Sequence, residues 1–458
     1  PATDATPLPG LEYPGSKSMT QKRCCQFDDE IPHLKGTYRR LALVSHRRHV
    51  DCLEFDGETL IVSSDWLLWQ RCVQEARPCI HAEAANAGWD ARNTVNNHFL
   101  SGNDWVYVDG KDATEFRGVS LGRKFIRETG YVVVDYEKLS HCLENIVREF
   151  GPKEILFFDY RIDNGSLDIS TRLNIVREVA AGRGASVTDR SDPVDNAEMG
   201  LFFSLEYSTA GRAGGDWRTL AGRLVRHLFE SAVTALSFFR RRIDPDRPSV
   251  LLLLTGLTTI PLLERFDGRG IFPILPAEIF PRKKNVGFLL RCLAKGILLV
   301  GSPRSSLTEA ERDAVESIQS RLEAAWKVPA SGREEALRHH VRKYILKPGR
   351  FYEKSRETKW AERFLNRHRP DQIFTDGLKN ATYSTFLELA KARGIATTAI
   401  WHGPYVHDIK VGVFGSDPRV TPLIDLCLTW GEAQEVWLEQ ISAKTTTLRT
   451  GNPVAGQY

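Results

Sequence analysis

Residues 369 to 410 read RPDQIFTDGLKNATYSTFLELAKARGIATTAIWHGPYVHDIK, and no other stretch restricts the fold as much. The apolar run DQIFT stops at Asp376 and Gly377. NATYSTFLELAKARG has helical spacing and is closed by Gly394, and IATTAIWHGP returns as a second apolar run that stops at His402, Gly403 and Pro404. Strand, helix and strand in about thirty residues form a βαβ unit, because parallel strands need a crossover connection.

Runs of the same kind recur along the chain. RRLALVSH (39–46), ETLIVSS (58–64), DWVYVDG (104–110) and KEILFFDY (153–160) are short apolar segments separated by stretches with helical spacing. RLNIVREVAAGRGASVTD adds an amphipathic helix and another strand. A second series follows with SVLLLLTG (249–256), GIFPILP (270–276) and KGILLVG (295–301). The segment LTEAERDAVESIQSRLEAAW has Thr308 and Glu311 at capping-box spacing. PLIDLCLTWGEAQEVWLEQ and TTTLRTGNP close the chain with two more strands and a helix. Buried runs alternating with helices predict an α/β protein with largely parallel sheets. The expected divisions are a tail over 1–38, an α/β domain over 39–205, a bridging helical segment over 206–248 and a second α/β domain over 249–458.

Composition excludes several classes. With 42% hydrophobic and 26% charged residues the chain of 458 residues is of ordinary globular make-up. SVLLLLTGLTTIPLLERF is broken by Gly256, Thr258, Thr259 and Pro261 before it reaches the roughly 20 apolar residues of a membrane span. The eight cysteines form no CxxC pair, which points to reduced thiols and a cytoplasmic setting. No metal-ligand spacing is found; the aspartates of DYRIDNGSLD (159–168) read as a polar loop. A net charge of +4 gives no reason to expect a nucleic-acid partner. Basic residues do cluster between 333 and 369, including Arg338, Arg342, Lys343, Arg350, Lys354, Lys359 and Arg363. A solvated helix face accounts for such a run; the sharper expectation is peripheral contact with the inner face of an anionic membrane.

The βαβ unit supplies the candidate site. Asp376 and His402 both end strands, and ligands of open α/β sheets bind at that edge. Gly377 and Gly403 permit close backbone approach, and the helix beginning near Asn380 and Thr382 offers free N–H groups to an anion. His402 suits a base at an attacking hydroxyl, since an ordinary imidazole is mostly neutral at cytosolic pH. Asp376 or Asp408 would orient it. A turn histidine bonded to a carbonyl is the competing explanation.

The order RPDQIFTDG, AIWHGP, LTWGE, TLRTGNP resembles bacterial transferases of the GT-B superfamily that build surface polysaccharides and teichoic acids. WHG is similar to a motif of the CDP-glycerol glycerophosphotransferases, and TGNP to the strand end of UDP-N-acetylglucosamine 2-epimerases. Pro404 and Tyr405 depart from the glycerophosphotransferase pattern after WHG. The resemblance spans about Pro370 to Val454 and implies two Rossmann-like domains. It implies a nucleotide-sugar donor, a saccharide or lipid-linked acceptor and no further cofactor. By the resemblance His402 would stand near the acceptor hydroxyl; the placing of the turns themselves adds Asp376 as a second catalytic candidate and Gly377, Asn380, Thr382, Gly403, Pro404, His407, Asp408, Gly451 and Asn452 as candidate substrate contacts. The resemblance also implies a donor-nucleotide domain beyond Tyr458. A non-catalytic scaffold in polysaccharide assembly and a 2-epimerase-like enzyme remain as alternatives.

Overall fold

The structure is a computed structural model. It describes residues 34, 36–54, 56–86, 89, 101–159, 166–191, 235, 239, 243, 248–253, 272–276, 298–300, 306–328, 330, 332–346, 348–376, 381–401, 422–440 and 443–451. The chain is α/β and divides into two compact units, Pro1–Trp89 with Lys138–Met199, and Asp90–Glu137 with Gly200–Tyr458. The boundaries drawn from sequence had no place for 90–137 in the later unit. Most of the tail over 1–38 and of the bridging segment over 206–248 lies outside the described residues.

In chain order the first unit contains β1 (Arg40–Leu43), α1 (Arg47–Asp51), β2 (Thr59–Ser63), α2 (Trp66–Gln74) and β3 (Cys79–His81). Helix α3 (Ile126–Phe150) runs across the division at Glu137, and the unit closes with β4 (Glu154–Phe157), α4 (Ile169–Ala181) and β5 (Ser186–Asp189). Its sheet is parallel throughout, in the order β3-β2-β1-β4-β5. Every residue of β2 is buried, as a strand covered on both faces must be. Ala42, Val44, Ile61, Leu68, Cys72 and Leu156 pack into one apolar cluster, and the alternate residues Leu41, Leu43, Leu60, Ile155 and Phe157 are buried as well. The helix starts are set by aspartates: Asp65 accepts from the Leu67 and Leu68 amides at 2.8 and 3.1 Å, and Asp168 from the Thr171 amide at 2.9 Å. Two aspartates of the 159–168 stretch thereby have structural work, since the buried Asp159 accepts from Arg172 at 2.6 Å.

The run DWVYVDG is not a strand of this sheet. Residues Asp104–Val106 form a 3-10 turn, and Tyr107–Val108 pairs antiparallel with Lys111–Asp112. Asp109 and Gly110 have φ of 50° and 74°, the left-handed pair of a tight hairpin turn. The third strand in chain order is instead Cys79–His81, at the edge of the sheet, and its three residues are too few to show a period.

The second unit continues with β6 (Ser249–Leu253), β7 (Phe272–Pro276), β8 (Leu298–Val300), α5 (Glu309–Ala325), α6 (Gly332–His340), α7 (Pro348–His368), β9 (Gln372–Thr375), α8 (Ala381–Lys391), β10 (Ala396–Ile400), β11 (Leu426–Thr429), α9 (Glu432–Gln440) and β12 (Thr446–Arg449). Its seven strands are all parallel, in the order β8-β7-β6-β9-β10-β11-β12. One device recurs at the strand starts. Asp371, just before β9, accepts from the amide and hydroxyl of Ser249 at 2.7 and 3.1 Å. Asp425, just before β11, accepts from the amide and hydroxyl of Thr397 at 2.9 and 3.0 Å. Each carboxylate occupies donors at the start of the neighbouring strand and fixes its register. Helices α7 and α8 pack through aromatic edges, with Trp360 and Phe364 at 5.2 and 5.4 Å from the Phe386 ring. The Thr308–Glu311 capping box expected at α5 is present in both directions.

Candidate functional site at the carboxyl edge of the second sheet

In the second sheet the connections leave β6 in one direction and β9 in the other, so the strand order reverses between them. Asp376 stands at that reversal. Its amide donates to the Leu253 carbonyl at the end of β6 at 3.2 Å, and its side chain is buried. Such a position lies outside the carboxyl ends of two strands, where connecting segments part and leave a crevice. Thr375, the last residue of β9, is fully buried, and α8 begins at Ala381, five residues past Asp376. The amino end of α8, the positive end of its dipole, therefore lies at the same edge. Thr382 is half-buried in the first turn of α8, next to the buried Tyr383. Burial pushes the Tyr383 phenol up, and the nearby Asp376 carboxylate pushes it further. Asp376 and Tyr383 thus share one electrostatic environment.

Strand β10 lies beside β9 with Thr375 opposite Ala399. It leads into Trp401, whose amide donates to Leu428 at 2.9 Å and whose buried indole meets Trp437 edge to face at 5.5 Å. The chain is thus anchored up to the residue before His402. His402, Gly377, Asn380, Gly403, Pro404, His407, Asp408 and Asn452 lie outside the described residues. Gly451 is described and follows β12, three strands from β9. At about 4.8 Å per strand step that is about 14 Å from Asp376, so Gly451 stands apart from the edge where Asp376 lies.

Sequence reasoning passed over Lys124. This lysine, in a 3-10 turn over Gly122–Phe125, buries its side chain completely. Its ammonium donates to Ser384 Oγ at 2.8 Å and to Glu388 Oε1 at 2.7 Å, both on α8. Glu388 Oε2 accepts from the Ser120 amide at 3.0 Å. Burial lowers the lysine's affinity for its proton, and Glu388 opposes that shift. Nothing in SLGRKFIRE marks Lys124 as an inward residue, because its partners stand more than 250 positions away. Tyr383 has a local signal, namely its place in the first turn of a helix that follows a strand ending in aspartate.

The basic segment over 333–369 is divided between α6, α7 and the turn between them. Arg350 makes a two-pronged pair with the buried Glu128, at 3.0 and 2.6 Å, and His340 Nε2 meets the same carboxylate at 2.8 Å. Lys359 is buried against Glu311 at 2.6 Å. Arg338, Arg342 and Lys354 pair with Glu334, Glu335 and Glu357. Arg356, Arg363, Arg367 and Arg369 are exposed. Part of the run therefore holds the helices together rather than facing outward.

Compared with known proteins, the sequence matches no family model and no curated protein significantly. Among the described residues no helix is long and apolar enough to cross a membrane, and no group of three or more His, Cys, Asp or Glu side chains is placed to hold a metal ion.

Proposed function

We propose that this chain is a glycosyltransferase-like enzyme of GT-B type, built on two Rossmann-like units. It transfers a sugar or polyol phosphate from a nucleotide-activated donor to a surface-polysaccharide or lipid-linked acceptor. The observation that carries the reading is the buried Asp376 at the strand-order reversal of a parallel sheet, followed within five residues by the amino end of a helix. A second parallel sheet in the first unit, with the corresponding order of its first five strands, supports it. In this reading the N–H groups of α8 face the diphosphate, and His402, next after the anchored Trp401, takes the proton of the attacking acceptor hydroxyl. Asp376 holds the imidazole in the tautomer that accepts that proton, so that the new glycosidic or phosphodiester bond forms as the nucleoside diphosphate or monophosphate leaves. The enzyme works in the cytoplasm, where nucleotide sugars are made, with the exposed arginines of α7 toward an anionic membrane surface.

The test is titration calorimetry and donor hydrolysis with CDP-glycerol and a panel of UDP-, GDP- and CDP-sugars, on the parent chain and on Asp376→Asn and His402→Ala. Binding of one nucleotide diphosphate, with hydrolysis or transfer lost by about a hundredfold or more in His402→Ala and the melting temperature kept, is the expected result. A chain that binds no nucleotide is a scaffold, and interconversion of the donor sugar without transfer makes it an epimerase; either outcome overturns the transferase reading.

A further inference from the structure

The second unit also holds a cleft of about 500 Å³ that shares no residue with the carboxyl edge of its sheet. One wall is the 3-10 turn and hairpin over 104–112, and the other is the end of α5 with one face of α6. The buried Trp105 and Trp326, edge to face at 6.4 Å, form its floor, and the half-buried Tyr107 lines it. Arg333, Glu334, Leu337 and Arg338 recur on α6 at helical spacing and line it together. A Cβ on Gly102 would come within 2.6 Å of Gly130 in α3, so the chain leading into the turn lies directly on that helix. Arg338 is held by Glu334 at 2.5 Å and by the Val328 carbonyl at 2.7 Å, and Arg333 by Glu137 at 3.1 Å.

The lining sets the class of ligand. Its volume falls within the roughly 300–1,000 Å³ of small-molecule sites. Asp104, Asp109 and Glu334 stand against two guanidinium groups, and this excess of carboxylates repels a polyphosphate. Carboxylates alternating with guanidinium groups match hydroxyls, each of which donates and accepts at once, and aromatic rings cover the C–H face of a pyranose. We propose that this cleft is a binding site for a neutral saccharide, with the half-buried Tyr107 ring as its apolar face and Asp109 and Arg338 as its hydroxyl contacts.

The proposal is tested on the full chain by saturation-transfer NMR and tryptophan fluorescence with neutral hexoses, N-acetylhexosamines and their disaccharides, and with inorganic pyrophosphate as the anionic probe. The expected result is saturation transfer to the ring protons of at least one sugar together with a fluorescence change. Affinity falls about tenfold or more in Arg338→Gln and in Asp109→Asn, each at unchanged melting temperature. Asp109 is exposed at the hairpin tip, and asparagine tolerates its left-handed backbone, so that variant folds even if Arg338→Gln does not. Absence of sugar binding, sugar binding that both variants leave unchanged, or competition by pyrophosphate overturns the proposal.

Discussion

Glu128 illustrates how a single side chain in this protein carries charge into the interior. Burial alone would raise its carboxyl, but hydrogen bonds from His340 and Arg350 outweigh burial and hold it at about 2, from an ordinary 4.5. A folded value below the unfolded one means that its contribution is complete above pH 4.5 and disappears as the pH falls toward 2. The shift corresponds to about 3 kcal/mol. Glu128→Gln is expected to lose about that much at pH 7 and to flatten the acid limb of the stability profile; urea unfolding at pH 7, 4 and 3 measures both. Tyr383 behaves in the opposite sense. Its phenol is raised by burial and by Asp376, so the fold holds its proton more tightly than the unfolded chain, and stability falls as the pH rises above about 10. Tyr383→Phe should leave neutral-pH stability within about 1 kcal/mol and make the alkaline limb shallower. An unchanged alkaline limb in that variant would remove Tyr383 from the Asp376 environment.

Between elements, the structure relies on buried ion pairs as well as on apolar packing. Lys124 and Glu388 join the turn over Gly122–Phe125 to α8, and Lys359 and Glu311 join α7 to α5. Removing one member of such a pair strands the other charge in a low-dielectric interior, which costs about 3–5 kcal/mol, whereas removing both is far milder. Lys124→Met should therefore destabilise strongly, and Lys124→Met with Glu388→Gln should recover most of the loss, leaving mainly the Ser120 amide to be satisfied. A double-mutant cycle by chemical denaturation reads the coupling. Additive effects would mean that the two groups do not act as a pair. Since α8 also carries Ser384 and Thr382, this ion pair fixes the helix whose amino end faces the candidate site.

At the level of the whole molecule, each sheet has an apolar cluster of its own among the described residues. Ala42, Ile61, Leu68 and Leu156 belong to one, and Leu251, Phe364, Ile373, Phe386 and Trp401 to the other. Separate clusters predict departure from two-state unfolding. Calorimetry is expected to resolve two transitions, with Leu68→Ala lowering one and Phe386→Ala the other, each by about 2–5 kcal/mol. A single transition moved equally by both substitutions would show one cooperative unit.

The sequence by itself determined the α/β class and the location of most elements, because buried strands and amphipathic helices write their periods locally. The strand after Arg369, the helix before Gly394, the strand before His402 and the capping box at Thr308 are each settled by residues within a few positions of one another. Tertiary structure alone decided the rest. Cys79–His81 is too short to show a period, and DWVYVDG has an apolar pattern that a hairpin and a strand share until Asp109 and Gly110 adopt left-handed backbone. The membership of 90–137 in the second unit and the meetings of Lys124 with Glu388 and of Glu128 with His340 and Arg350 join residues more than two hundred positions apart. Which strands become neighbours, and hence that Asp376 lies beside β6 while Gly451 does not, depends on the order in which a sheet assembles, and no local pattern encodes that order.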